Sequence, residues 1–211
     1  MGLPQAKASV HEEFPPEAAL QAEIERLKRE LAVARARIGE LEARADVDPL
    51  LDILNRRGFE RELKRTLAHT KRYGTPAALM FVDLDNFKTV NDRHGHATGD
   101  ALLKAVTREL THHVRASDVV GRLGGDEFGA LLWRVDEAQA LTKARELEGL
   151  LARVSVMHGQ AHVQVSASVG TALLRADATV AEIITAADRA MYARKDERRG
   201  LPAVDFQGGA N

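Results

Sequence analysis

From residue 46 onward, apolar residues alternate between helical spacing and short strand-like runs. This alternation limits the chain to a sheet covered by helices, because each helix has an apolar stripe and each strand an apolar face to bury. We therefore predict an α/β (α+β) fold with a mixed sheet flanked by helices. The predicted helices are residues 57–74, 98–115, 136–154 and 179–199, and the predicted strands are 76–85, 118–124, 127–135 and 162–174.

A heptad repeat precedes this region. Its apolar residues are separated alternately by four and three positions, which is typical of a coiled coil and predicts an N-terminal coiled-coil helix over 19–47. The alternative is a single amphipathic helix packed on its own domain. The seam consists of Ile24, Leu31 and Ile38 at a positions and Leu20, Leu27, Ala34 and Leu41 at d positions.

The charges beside the seam favour a parallel homodimer. In a parallel pair, each g residue faces the e residue five positions later on the partner helix, and all three such pairs are attractive. An antiparallel dimer would also have two attractive charge pairs, so the antiparallel orientation remains an alternative. The parallel pairs are Glu23–Lys28, Glu30–Arg35 and Arg37–Glu42, and the antiparallel pairs are Glu23–Arg44 and Glu30–Arg37.

Composition excludes several classes of function. The chain has no cysteine, so disulfides, thiolate catalysis and zinc–thiolate sites are excluded. Its net charge of −1 provides no global attraction to nucleic acid or an anionic membrane. No apolar stretch approaches the roughly 20 residues that span a bilayer, and the N-terminus has no signal-peptide core. We therefore expect a cytoplasmic protein with neither a nucleic-acid nor a membrane partner, a disordered leader over 1–18 and a flexible tail over 201–211.

Acidic residues lie at two predicted strand ends. Asp83 and Asp85 end one apolar run, and Asp126 and Glu127 follow two glycines in the hairpin RLGGDEF. Either pair alone is more often a solvated turn than a metal site. Mg²⁺ takes oxygen ligands, often one or two carboxylates plus substrate phosphates, so two neighbouring strands together could supply it. Glycine at the turn would also let a phosphate or ribose approach the backbone closely.

At this point the motifs resemble those of GGDEF-domain diguanylate cyclases. The resemblance covers 48–200 and implies a fold like the nucleotidyl cyclases and the polymerase palm, a sheet on a ferredoxin-like core. It also implies condensation of two GTP molecules into cyclic di-GMP and two pyrophosphates across a homodimer. The blocks that carry it are DPLLDILNRRGF (48–59), FVDLDNFKTVNDRHGHATGD (81–100), RLGGDEF (122–128), VSASVG (165–170) and AADRAMYARKDERR (186–199).

The resemblance also implies roles for individual residues. It implies two Mg²⁺ or Mn²⁺ ions per half-site, with Glu127 as either a metal ligand or the base for the attacking 3′-hydroxyl. His96 either lines the guanine pocket or is structural. The implied metal ligands are Asp83, the Leu84 carbonyl, Asp126 and Glu127; the guanine-reading residues are Asn91 and Asp100; the triphosphate contacts are Lys88 (with a catalytic role), Lys195 and Arg199; and Gly124 and Gly125 border the substrate.

The segment RASD, at 115–118, lies five residues before Gly124. An RxxD at this place resembles the inhibitory product site of the family, so Arg115 and Asp118 are expected to bind cyclic di-GMP. A non-catalytic cyclic di-GMP receptor that uses this site is the alternative function, although the retained GGDEF acids favour the enzyme. The sequence departs from the family pattern at Leu51, Arg194, Arg198 and Gly200, where Thr, Ala, Gly and Asn are usual.

Overall fold

The computed structural model describes residues 17–44 and 46–199. The chain divides into two compact units, with the boundary between residues 44 and 45. Residues 1–16 of the leader expected over 1–18, the tail over 201–211 and the departure at Gly200 lie outside the described residues. Residues 17 and 18 belong to a helix rather than to a disordered leader. Within the described ranges, no helix combines the length and the apolar character needed to cross a membrane.

The first unit contains helix α1, Glu17–Arg44, so a helix covers most of the predicted range 19–47, although Asp46 and Val47 are not helical. Its pairing as a coiled coil stays a prediction. Leu20, Ile24, Leu27 and Leu31 are each 47–50% exposed, so this half of the seam is an uncovered apolar row in the single chain. The remaining seam side chains, Ala34, Ile38 and Leu41, lie outside the described part.

The charges on α1 pair within the helix. Arg26 contacts Glu23 at 2.5 Å and Glu30 at 2.6 Å, and Lys28 contacts Glu25 at 2.8 Å. Exposed ion pairs of this kind contribute little to stability, because solvent and salt screen them. They therefore leave the glutamates and Lys28 able to exchange partners if a second helix lies alongside.

The second unit contains the remaining helices and strands. The helices are α2, Arg56–Tyr73; α3, Phe87–His94; α4, His96–His112; α5, Glu137–Leu151; and α6, Val180–Arg199. The strands are β1, Ala77–Asp85; β2, Val119–Arg122; β3, Glu127–Trp133; β4, Ser155–His158; β5, Ala161–Gln164; and β6, Ser166–Leu173.

The main sheet has the strand order β2-β3-β1-β6, and each of its ladders is antiparallel. A parallel contact occurs as the single bridge Leu54–Gly121 at the β2 edge. Four strands and their crossover helices in this order form the β-α-β-β-α-β arrangement of ferredoxin-like folds. The predicted sheet with flanking helices is confirmed, but its four strands do not run in the predicted mixture of directions, since each ladder is antiparallel.

The predicted element order is wrong at the segment 162–174, and it lacks helix α3 and strand β4. The segment 162–174 is not one strand: β5 pairs with β4 in a separate two-stranded sheet, and β6 joins the main sheet after a break at Val165. Because Val163, Val165 and Ala167 are all buried, the alternation continues across the break and conceals it. Helix α3 was not predicted, because its eight residues bury only Phe87 and give no helical apolar period.

Local capping explains several helix limits. Asn55 and Asp136 accept hydrogen bonds from backbone N–H groups of the first turns of α2 and α5. Asp136 and Gln139 form a complete capping box. Helix α2 ends at Gly74, whose φ of 67° is the left-handed conformation that glycine adopts without strain.

Strand β1 lies between two apolar cores. Met80, Val82 and Leu84 face the core formed with α4 and α5, whereas Leu79 and Phe81 face the core formed with α2 and α6. Because strand side chains alternate between faces, Asp83 and Asp85 continue the second stripe and lie on the α6 side of the sheet. This register decides which helix can reach these two acids.

Helix α6 packs directly on β6 at Gly170. A Cβ atom at this position would lie 2.2 Å from the Ala187 carbonyl oxygen and 2.2 Å from the Met191 backbone nitrogen. The missing side chain therefore allows the helix backbone to approach the sheet. This approach brings the last turns of α6 to the end of β1.

We predict that Gly170→Ala destabilises the domain, because the added methyl group collides with helix backbone that cannot rotate away. Overpacking of this kind costs about 1–3 kcal/mol. Urea unfolding, followed through Trp133, measures the change in the free energy of unfolding. Gly149→Ala is the matched control: a Cβ there meets no atom within 4 Å, so helix propensity should stabilise that variant by about 0.5–1 kcal/mol. Equal stability of both variants would contradict the close approach.

Candidate active site

The two acidic segments meet at one end of the sheet. In the β1–β3 ladder, Asp83 lies directly opposite Glu127. The Leu84 N–H donates to the Asp126 carbonyl oxygen at 3.1 Å, which ties the hairpin turn to the end of β1. A shared site was expected only if the two acidic segments lay on neighbouring strands, and they do.

This arrangement places like charges close together. Burial raises the pKa of Asp83, and the negative charges of Asp126 and Asp85 add to that rise, while Lys195 opposes it. Burial likewise raises the pKa of Glu127, with Arg56 opposing and the charge of Asp83 adding to the rise. Perturbed carboxylates of this kind cluster at functional sites.

Helix α6 supplies cations to this acidic end of the sheet. The Lys195 ammonium donates a hydrogen bond to Asp83, and the two side chains are only 16% and 15% exposed. Arg198 lies 3.7 Å from Asp85 and also donates to the Ala167 carbonyl oxygen.

Asp85 has a structural role beside this site. It accepts hydrogen bonds from the hydroxyls of Ser166 at 2.7 Å and Ser168 at 2.9 Å. These bonds join the ends of β1 and β6, so Asp85 is already satisfied by protein donors. Asp83, by contrast, faces the acids of the hairpin.

The carboxylates do not form a ready metal cage. Within 17–44 and 46–199, no three acidic or histidine side chains meet in a way that could hold a metal ion. The donor set nevertheless suits a hard cation, because Mg²⁺ commonly uses one or two carboxylates and completes its coordination with substrate phosphates and water. Asp83 and Glu127, on facing strands with raised pKa values, fit that requirement.

The glycines of the hairpin serve close approach rather than a left-handed turn. Neither Gly124 nor Gly125 is among the glycines with positive φ. A Cβ at Gly124 would lie 2.4 Å from the Glu127 carboxylate, whereas a Cβ at Gly125 would meet no atom within 4 Å. Gly124 therefore makes room for Glu127, and the backbone at Gly125 is open to a ligand.

Two arginines that sequence reasoning missed hold this turn. Arg122 donates to the carbonyl oxygens of Gly124 at 3.0 Å and Gly125 at 2.8 Å, and it contacts Asp48 at 3.1 Å. Arg56 donates to the Leu123 carbonyl oxygen at 2.5 Å and lies 3.4 Å from Glu127. Both arginines and Asp48 lie within the motif blocks 48–59 and 122–128, and their place in these blocks was the sequence signal that could have identified them.

The predicted guanine-reading residues lie on the α3–α4 pair. Asn91 is on α3, and a Cβ at Gly99 would lie 1.9 Å from its Oδ1 atom, so the amide packs against the residue before Asp100. Asp100, His96 and Lys88 are exposed.

A different histidine has a defined structural partner nearby. The ring of His94 lies 5.2 Å from that of His158, whose Nδ1 atom is 2.8 Å from the Thr98 hydroxyl. The Thr98 hydroxyl donates to the His94 carbonyl oxygen at 2.8 Å, so it accepts from His158. These contacts attach β4 to the start of α4.

The RxxD residues lie elsewhere, beside a cavity of about 410 Å³. Asp118 accepts from the backbone N–H groups of Arg115 at 2.9 Å and Trp133 at 3.0 Å, so it holds the loop in place. Arg115 is exposed. The cavity combines cationic, polar and aromatic side chains, including His113, Arg115, Asp118, Trp133, Gln139 and Lys143.

Arg194, one of the departures from the family pattern, is held by a buried carboxylate. Glu148, on α5, has a side chain only 7% exposed and receives the Arg194 guanidinium at 2.9 Å. Glu148 also accepts from the backbone N–H of Val169 at 3.1 Å. Because Arg194 directly precedes Lys195, this ion pair fixes the position of α6 beside the acids. The side chain of Arg199 lies outside the described part.

Residues 45–200 match the model of the family described as diguanylate cyclase, GGDEF domain. The chain belongs to the GGDEF-domain diguanylate cyclase family.

Individual GGDEF proteins support this assignment. The chain is 35% identical over 161 residues to diguanylate cyclase DosC of Escherichia coli K12, which covers 76% of this chain and 35% of DosC. It is 37% identical over 155 residues to diguanylate cyclase TpbB of Pseudomonas aeruginosa, covering 72% of this chain and 36% of TpbB. The chain thus spans about a third of the length of the curated relatives it matches.

Solved GGDEF structures share the fold. The coiled coil and GGDEF domain of DgcB from Caulobacter crescentus, in complex with c-di-GMP, matches with a TM-score of 0.71 and 25% identity, covering 86% of this chain and 96% of that one. Diguanylate cyclase SiaD of Pseudomonas aeruginosa, in complex with its activator SiaC, matches with a TM-score of 0.68 and 28% identity, covering 85% and 73%.

We predict that Glu127→Gln stabilises the metal-free GGDEF domain at pH 7.5, by up to about 1 kcal/mol, because it removes a charge that burial disfavours and that lies opposite the like charge of Asp83. Because the pKa of Glu127 is raised in the folded state, the folded protein holds this proton more tightly than the unfolded chain does. The free energy of unfolding therefore falls as the pH rises from the pKa of the unfolded carboxyl through the pKa of the folded one. The gain should therefore disappear below about pH 4, where the unfolded carboxyl also binds its proton. Urea unfolding of both proteins between about pH 4 and pH 7.5 measures the difference in their free energies of unfolding.

The exposed Glu137, in the first turn of α5, provides the control for this prediction. Glu137→Gln should leave stability unchanged or slightly lower, because a negative charge near a helix N-terminus is favourable. If Glu127→Gln were the less stable protein at pH 7.5, the carboxylate would be held favourably, and the stated cause of its raised pKa would be wrong.

Proposed function

We propose that this protein is a diguanylate cyclase that condenses two GTP molecules into cyclic di-GMP and releases two pyrophosphates. The observation that carries the proposal is the pairing of Asp83 with Glu127 across β1 and β3, with Lys195 bonded to Asp83. This cluster offers oxygen ligands for a cation and an ammonium for a phosphate at one end of the sheet. Catalysis in nucleotidyl transfer consists largely of positioning and charge stabilisation, which these residues can supply.

The proposed metal ligands are Asp83, the Leu84 carbonyl, Asp126 and Glu127. When bound, two Mg²⁺ or Mn²⁺ ions would neutralise triphosphate charge and activate the attacking hydroxyl. Glu127 serves as either a ligand or the base for the 3′-hydroxyl, and burial raises the pKa of its carboxyl above the ordinary value.

The α3–α4 pair is the proposed guanine site. Asn91 and Asp100 present an amide and a carboxylate, and a carboxylate can accept from the N1 and N2 donors of guanine. His96 is the further candidate at the edge of that pocket. On the phosphate side, the proposed contacts are the cations Lys88, Lys195 and Arg199 and the open backbone at Gly124 and Gly125.

The reaction requires two half-sites, and we propose that a parallel coiled coil of α1 joins them. The support is the half-exposed row Leu20, Ile24, Leu27 and Leu31, which a second copy would cover. Linking two half-sites raises their effective concentration without any new contact at the active site. The DgcB structure that matches this chain likewise comprises a coiled coil and a GGDEF domain.

We predict that the full chain, incubated with GTP and Mg²⁺, produces cyclic di-GMP, measured by chromatography of the nucleotides. Specific activity should rise with protein concentration, because the productive species contains two chains. Asp126→Ala and Glu127→Ala should each reduce turnover by at least about 100-fold, the scale of losing one transition-state charge contact.

Two controls make this experiment decisive. Circular dichroism and thermal unfolding establish that each inactive variant is folded, and Glu137→Ala, in the exposed first turn of α5, should retain full turnover. Absence of cyclic di-GMP from the wild type, under conditions in which a known cyclase is active, would end the enzyme proposal.

We also propose that Arg115 and Asp118 form an inhibitory site for the product. The support is the neighbouring cavity of about 410 Å³, where Arg115 and Lys143 offer positive charge and Trp133 an aromatic face. Arginine can bind guanine or phosphate with two parallel hydrogen bonds. Asp118 already accepts two backbone N–H groups, so its substitution would disturb the loop as well as the ligand.

Arg115→Ala is therefore the informative variant. We predict that it leaves initial turnover unchanged but raises final product accumulation several-fold, measured as a progress curve with added cyclic di-GMP. Arg108→Ala, which removes an exposed cation of α4, is the control. If cyclic di-GMP binds the wild type through Arg115 while no turnover occurs with any metal, the alternative function as a non-catalytic receptor replaces the enzyme.

A further inference from the structure

We propose that Lys195 is an internal cation that takes the place of the metal at Asp83 until nucleotide arrives, so that metal and triphosphate bind this chain as one coupled event. The inference rests on the proposed function, since it assigns a second role to a residue of that site. Its starting point is the hydrogen bond from the Lys195 ammonium to Asp83, between two side chains that are largely buried.

The charge balance of the site calls for such a cation. Asp83 faces Glu127 directly, and Asp126 and Asp85 lie close enough to raise its pKa. Partly buried carboxylates without a compensating charge are strongly unfavourable. Lys195 supplies this compensation through its hydrogen bond to the Asp83 carboxylate.

A divalent cation and the ammonium therefore compete for Asp83. If the metal binds alone, it must displace Lys195 and leave a largely buried ammonium without a partner, which is costly. If a triphosphate binds at the same time, its oxygens accept the ammonium, and Asp83 is released to the metal. Each ligand thus removes the obstacle to the other, and the coupling is reciprocal by thermodynamic necessity.

Among the cations near the end of α6, Lys195 is suited to this exchange. Arg194 is held by the buried Glu148 and by Glu197, and Arg198 by Asp85 and the Ala167 carbonyl. The only described contact of Lys195 is Asp83. Its flexible stem carries a compact charge that can move between two acceptors, whereas its neighbours keep the helix fixed.

The test measures Mn²⁺ binding to the full chain by electron paramagnetic resonance, without nucleotide and with a GTP analogue whose α and β phosphates are joined by a methylene group. For the wild type, we expect weak Mn²⁺ binding alone and binding at least about tenfold tighter with the analogue, within the usual range of coupling between sites. Lys195→Met should bind Mn²⁺ several-fold more tightly than the wild type without nucleotide, and its coupling should fall towards one.

Matched variants locate the effect. Arg189→Met removes an exposed cation from the same helix and should behave as the wild type. Lys195→Arg keeps the charge and should retain weak nucleotide-free binding. Asp83→Asn combined with Lys195→Met should abolish the gain, because the metal then lacks its carboxylate. If Lys195→Met does not fold, Lys195→Gln replaces it, since the amide keeps most of the side chain without the charge.

The outcomes separate this inference from the proposed function. If Lys195→Met binds Mn²⁺ without nucleotide no more tightly than the wild type does, the inference is overturned, even if the protein makes cyclic di-GMP. Tighter binding by Lys195→Met in a protein that never binds the analogue supports Lys195 as the internal cation but contradicts the proposed function and the coupling. Tighter binding together with lost coupling supports both.

Discussion

The site depends on the register between β1 and β3, which places Asp83 directly opposite Glu127. A shift of one residue would turn every side chain of β1 to the other face of the sheet. The acids would then point into the core formed with α4 and α5, where Met80, Val82 and Leu84 now lie. The apolar alternation that builds the two cores therefore also directs the acids to the face that α6 covers.

Helix α6 brings cations to the cluster of acids at the end of β1 and so offsets their mutual repulsion. Gly170 lets the backbone of α6 approach β6, and the ion pair between Arg194 and the buried Glu148 holds the next turn. Lys195 follows directly and reaches Asp83. A buried ion pair adds little net stability, since desolvation offsets the attraction, but breaking it leaves an uncompensated charge. The Arg194–Glu148 pair therefore serves mainly to position α6 rather than to stabilise the fold.

The sequence predicted the parts of this arrangement that depend on local pattern. It predicted the apolar strand ending at Asp85, the hairpin around Gly124 and the helix carrying Lys195, because period and turn chemistry are local signals. It missed the break at Val165, because the alternation of buried residues continues from one sheet into the next. It also missed the roles of Arg122 and Glu148, because their partners Asp48 and Arg194 are distant in sequence and become neighbours only after folding.

The arginines and the lysine around the acids act in different ways for a physical reason. Arg122 and Arg56 donate to backbone carbonyls of the hairpin, so they fix the turn whether or not a ligand is bound. Lys195 donates to a carboxylate that a metal would also need. In the proposed function this site receives a cation and a polyanion together, so the charge that compensates the acids must be able to leave, while the charges that hold the backbone around it stay in place. The division between guanidinium anchors and one ammonium follows from that requirement.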